Sequence, residues 1–206
     1  MAQIEAGPVA YRRSLFVTAC AYAVLHHLVL LPAGTARWRG TSWVDWLDLV
    51  VPYAALAPAA LTLATARVTG RHWGVFAVGA LAYTQGHGIH LAANSIGNAD
   101  PGETAYLWDE LAGHAIWYAG AAVVMFVLAA TMARESPRAH PLGVLAALGV
   151  GATWATNALG GHTIPLAIVV ALAGIGWGWT RRHTVAWLTG IAGAAALVVL
   201  AGAALP

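Results

Sequence analysis

Seven long apolar runs, separated by short polar or Gly/Pro-containing turns, organise this chain. A helix that crosses a bilayer needs about 20 mostly apolar residues. The runs that meet this test are Ser14–Leu31, Val44–Ala66, His72–Ala93, Ala105–Met132, Pro141–Leu159, Thr163–Thr180 and Thr184–Ala204. They are too long and too rich in alanine for a series of strands, so the expected fold is all-α. It is a polytopic membrane protein whose seven transmembrane helices form a single domain over residues 1–206. The first run contains His26 and His27 and is followed by no convincing small-residue cleavage site, so it reads as a retained helix rather than a signal peptide. One stretch breaks the monotony. Between Tyr83 and Trp117, histidines and carboxylates interrupt two apolar helices on either side of one polar turn.

Composition agrees with the pattern. The chain is 60% hydrophobic and 9% charged, against roughly 25% charged residues in a soluble domain. The net charge of +2 arises without any lysine. The arginines are dispersed, which excludes a nucleic-acid partner. Cys20 is the lone cysteine, so neither an internal disulfide nor a thiolate metal cluster is available. The Gly174-x-x-x-Gly178 spacing, Gly190 and the many alanines read as close helix packing.

The arginines also predict an orientation, because positive residues favour the cytoplasmic side. With the N-terminus inside, Arg12, Arg13, Arg67, Arg71, Arg134, Arg138, Arg181 and Arg182 are cytoplasmic, and only Arg37 and Arg39 lie outside. The C-terminus is then outside. Trp38, Trp43, Trp46 and Trp108 fall at the outer boundary and Trp73, Trp179 and Trp187 at the inner one, as an aromatic belt requires. His72, His140 and His183 fall at inner helix ends, as interfacial residues. His26, His27, His87, His90, His114 and His162 all map to the outer half, with Asp45, Asp48, Asp109 and Glu110. The expected location is a bacterial or archaeal cytoplasmic membrane, with the site on the extracytoplasmic side.

Ionisable groups at membrane depth are costly and mark function. On an α-helix, residues three and four apart share a face, so Tyr83, His87, His90 and Asn94 form one polar stripe, and Glu110 and His114 another. Asp109 is turned about 100° from that second face, which directs it toward a supporting role or another helix. Gly86, Gly88 and Gly113 flank the histidines and would let backbones approach. Three imidazoles with a carboxylate or water suit Zn²⁺, iron or copper. The expected metal ligands are therefore His87, His90, His114 and Glu110, with His26, His27 and His162 as further candidates. Glu110 or Asp109 is the expected catalytic base, and Tyr83, Asn94, Asp45 and Asp48 are supporting residues. Bland alternatives remain for several: Asn94 as a helix C-cap, Asp45 and Asp48 as acids at a helix N-terminus, and His162 as a solvated turn residue.

Seven helices with membrane-depth histidines and an acid resemble the seven-helix membrane zinc hydrolases that include alkaline ceramidases and adiponectin-receptor-like proteins. The resemblance lies in helix count and ligand types. It implies a zinc site of histidines and an acid, and amide hydrolysis. The family's paired C-terminal histidines have no counterpart in the last helix here, and Ser95 follows the first histidines rather than preceding them. The expected function is a metal-dependent hydrolase, most simply a zinc enzyme, acting on a membrane lipid or small amphiphilic substrate from the outer half of the bilayer. Two alternatives stand beside it. One is a non-haem iron, copper or haem oxidoreductase; the other is a non-enzymatic metal or proton carrier. A conduit needs polar groups through both halves of the bilayer, and the inner halves here are almost purely apolar.

Overall fold

The computed structural model describes residues 7–27, 37–136 and 140–205. Among them the chain forms seven helical rods. The first is α1, Pro8–Leu25. A two-residue hairpin follows, β1 Arg37–Trp38 paired antiparallel with β2 Thr41–Ser42. Its loop is Arg39–Gly40, with φ of 52° and 86°, the positive pair that a type I′ turn demands. The second rod is α2, Trp43–Asp48, with α3, Val51–Thr65. The third is α4, Gly70–Ala99. The fourth joins α5, Glu103–Tyr106, a π-helical turn, Leu107–Gly113, and α6, His114–Met132. The last three are α7, Pro141–Gly160, α8, Ile164–Thr180, and α9, Trp187–Ala203.

Each expected run falls on one rod, with three differences. The expected end of the first helix, from Leu28 to Leu31, lies outside the described residues, as does Arg138. The hairpin was not expected, since the apolar runs leave only the short linker Arg37–Ser42 to form it. Finally, α4 continues to Ala99, past the expected end at Ala93.

Three rods, Trp43–Thr65, Glu103–Met132 and Pro141–Gly160, are long and apolar enough to cross a membrane by length and composition, and α8 and α9 are shorter apolar helices. Large apolar side chains face outward along the rods: Val78 is 65% exposed, Phe126 66% and Val198 71%. A water-soluble monomer rarely shows apolar surface on this scale.

The rods close into a ring in the spatial order α1, α3, α4, α6, α8, α9, α7 and back to α1. Small residues set the tightest approaches, as expected where helices associate without help from water. Gly178 of α8 lies against the Gly190 backbone of α9. Hydroxyl pairs tie α1 to α6 and α3: Tyr11 to Thr131 at 2.9 Å, Ser14 to Thr65 at 3.1 Å and Thr18 to Thr62 at 3.2 Å. Where α4 meets the fourth rod, Gly86 and Gly120 pack on opposing backbones so closely that a Cβ at either would collide with Trp117 or Tyr83. That contact brings the two polar stripes together.

Candidate metal centre

The polar face of α4 descends from Asn94 through His90 and His87 to Tyr83. Of these, Tyr83 and His87 are buried, at 2% and 1% exposure. Across the contact lies the π-helical turn, which carries both acids and ends at His114. A π turn bonds each residue to the fifth one on rather than the fourth. Residues five apart are thereby stacked, and Asp109 comes onto the same side of the rod as His114. As the sequence suggests, Asp109 reaches another helix. The Asp109 Oδ1 accepts from His90 Nδ1 of α4 at 2.5 Å. Gly113 makes room for this, because its Cα lies against the His90 backbone.

His90, Asp109 and His114 form the donor group: one ligand atom from each lies within 4.8 Å of the others. The His90 and His114 rings are 4.2 Å apart, centroid to centroid. Glu110 Oε2 lies 3.5 Å from His114 Nδ1 and 3.8 Å from His162 Nε2. That oxygen is buried with no hydrogen-bond partner among the described residues. His114 Nδ1 also faces the Glu110 carbonyl at 3.3 Å. A carbonyl only accepts, so Nδ1 carries the proton and the Nε2 lone pair is left for a cation. At His90 the Nδ1 proton shared with Asp109 would give way to a cation held between the two groups. A carboxylate or carbonyl that holds the far nitrogen of an imidazole is the usual support of a metal-binding histidine.

The other candidates are placed differently. His87 donates from Nε2 to the Asp48 carbonyl at 3.0 Å, with the Asp48 carboxylate 3.5 Å away. The α-helical donor to that carbonyl would be residue 52, a proline, which has no N–H. Pro52 thus interrupts the second rod between α2 and α3 and leaves a carbonyl for His87. The His87 Nδ1 lone pair is buried without a partner among the described residues, yet His87 stands outside the donor group. His26 uses both nitrogens: Nδ1 donates to Tyr22 O at 2.9 Å, and Nε2 accepts from the Tyr83 hydroxyl at 2.7 Å. His27 Nε2 bonds Thr153 Oγ1 at 3.1 Å. His162 sits in its turn with φ 51° and is 60% exposed.

The supporting residues are also accounted for. Asp45 lies in the first turn of α2, where its N–H is capped by Ser42, and its carboxylate accepts from Ser95 Oγ at 3.3 Å. Asn94 is not a C-cap. It lies inside α4, its Oδ1 accepting from Asn98 Nδ2 at 3.1 Å, and Asp100 caps the helix. Gly88, unlike Gly86 and Gly113, faces open space.

One residue that the sequence reading passed over holds the cluster together. Trp117, 6% exposed, has the rings of His26, His87, His90 and His114 at 5.8, 4.4, 5.5 and 5.7 Å from its own. It lies three residues after His114 and seven after Glu110, one and two turns along the same face, which was the available signal. A small cleft of about 260 Å³ opens beside the donor group. Asn94, Asn98, Tyr106, Asp109 and Glu110 are among its walls, so the two acids are reachable from that end of the bundle. Comparison with protein-family models, with curated proteins and with solved structures finds no match to this chain.

Proposed function

We propose that this is an integral membrane enzyme that holds one divalent metal ion, most simply zinc, at His90, Asp109 and His114 and hydrolyses a lipid or small amphiphile. All seven rods cross the bilayer in this reading. The arginine bias of the loops supports a cytoplasmic N-terminus and an outer C-terminus, which puts the cluster in the outer half of the membrane. The observation that carries the proposal is the convergence of two imidazoles and a carboxylate from separate rods to within 4.8 Å of one another. Buried polar groups cost about 2 kcal/mol or more each when unsatisfied, and a cation would satisfy these lone pairs together.

The chemistry follows from the neighbours. A bound metal would lower the pKa of its water toward about 7. Glu110, with an unpartnered buried oxygen beside the donors, takes the proton of the attacking water and returns it to the leaving group. The water oxygen adds to the carbonyl carbon and the ester or amide bond breaks. The polar cleft admits the water and the head of the substrate. A resemblance to seven-helix zinc hydrolases fits this chemistry.

Glu110→Gln should retain metal and lower turnover on a panel of micellar lipid esters and amides by about 10²-fold or more. Wild-type turnover in that variant would remove Glu110 from the mechanism. A second reading has one observation in its favour: two histidines and one carboxylate are also the donor set of non-haem iron oxygenases. Iron rather than zinc in the purified protein, with oxygen consumption on a hydrocarbon substrate, would select it.

A further inference from the structure

A large cavity lies away from the metal cluster. It has a volume of about 1180 Å³ and opens between α1, α3, α6, α7, α8 and α9. Pockets for drug-sized ligands span about 300–1,000 Å³, so this one exceeds what a small molecule fills. Small residues are among its walls, such as Ala55, Ala59 and Ala147. At one end stand Arg12, Arg13 and His140, and at the other Tyr22, Tyr83 and Trp154. Arg13 and Tyr22 are nine residues apart on α1, roughly 14 Å at the helical rise of 1.5 Å per residue. Half of a hydrocarbon core about 30 Å thick is the same length, so the cavity is as deep as one leaflet.

Arg13 and His140 stand at its mouth with Arg12, and Glu135 lies close by, next to Ser136. No Asp or Glu is among the residues that line the cavity in the described part of the chain. The Arg12 guanidinium is held there by bonds to Ser136 O and Oγ at 3.1 and 3.2 Å. An apolar bore one leaflet deep beneath a basic mouth is complementary to a phospholipid with a negative headgroup.

We propose that this cavity binds one anionic glycerophospholipid, with its headgroup at Arg13 and its acyl chains running toward Tyr22 and Tyr83. The chains end against Tyr83, whose hydroxyl holds His26, so the lipid does not reach the metal donors. The site stands independently of the metal centre and survives if that reading fails.

The test uses the full chain in nanodiscs that contain a trace of phosphatidylglycerol or phosphatidylcholine with a diazirine near the chain end. Photolysis and peptide mapping should place adducts around Tyr22, Trp154 and Ala196. Phosphatidylglycerol should label at least about fivefold more than phosphatidylcholine, the preference expected of one arginine near an anionic group. Arg13→Gln should reduce that preference severalfold, and Ala147→Phe should lower labelling by either lipid. Arg13 is exposed, so its variant remains informative if Ala147→Phe does not fold. Adducts confined to outward-facing residues such as Val78, Leu81 and Val198 would overturn the proposal. So would equal labelling by the two lipids.

Discussion

In the proposed centre Asp109 takes the place that helical spacing suggests for His87. His87 sits on the stripe beside His90, but its Nε2 is committed to the carbonyl that Pro52 leaves unpaired. Asp109 turns to another helix, as its spacing suggests, and there it touches His90. Two variants separate these assignments. Asp109→Asn removes a charged donor from the group, and its metal affinity, measured by chelator competition, should fall at least about tenfold. His87→Gln keeps a donor for the Asp48 carbonyl and should hold metal as tightly as wild type. The reverse order of affinities would return His87 to the centre and remove Asp109. The stripe of histidines and the Glu110–His114 pair were legible because both follow α-helical periods. The π turn was not, since nothing in Leu107–Gly113 announces one to a reader who assumes 3.6 residues per turn.

At the scale of elements, the site depends on how closely α4 and the fourth rod approach. Gly113 lies between the Trp108 carbonyl and the His90 backbone, and a Cβ there would come within 2.6 Å of Trp108 O and 2.9 Å of His90 N. Gly113→Ala should therefore push the two rods apart at the donor group. The expected cost is about 1–3 kcal/mol of stability, with metal bound more weakly. Gly88 is the control, because nothing lies within 4 Å of its missing Cβ. Gly88→Ala should be neutral or slightly stabilising, as alanine favours a helix over glycine by about 1 kcal/mol. Thermal unfolding of both variants in the same detergent decides the matter. A Gly113→Ala protein as stable as wild type would mean that the contact is looser than the structure has it. All three glycines look alike in sequence; only packing against a second backbone distinguishes them, and no local pattern encodes that.

For the molecule as a whole, the seven rods were legible because each apolar run is long and the turns between them are polar. Their ring order was not, since α7 and α9 pack together across the intervening α8, and chain order alone suggests no such crossing. Orientation remains a prediction of the arginines. A reporter active only in the cytoplasm, fused after the last residue, should be silent, and the same reporter at the N-terminus should be active. A strong C-terminal signal would place the cluster at the inner face. His26, His87, His90 and His114 gather around Trp117, and the proposed function requires a cation among the His90, Asp109 and His114 donors. Elemental analysis of protein purified without chelators addresses that most directly. About one equivalent of a divalent metal per chain, lost from a folded His114→Ala variant, is the expected result. A metal-free wild-type protein that takes up none of zinc, iron or copper on addition would contradict it, and the cluster would then be a hydrogen-bonded network that holds two helices together.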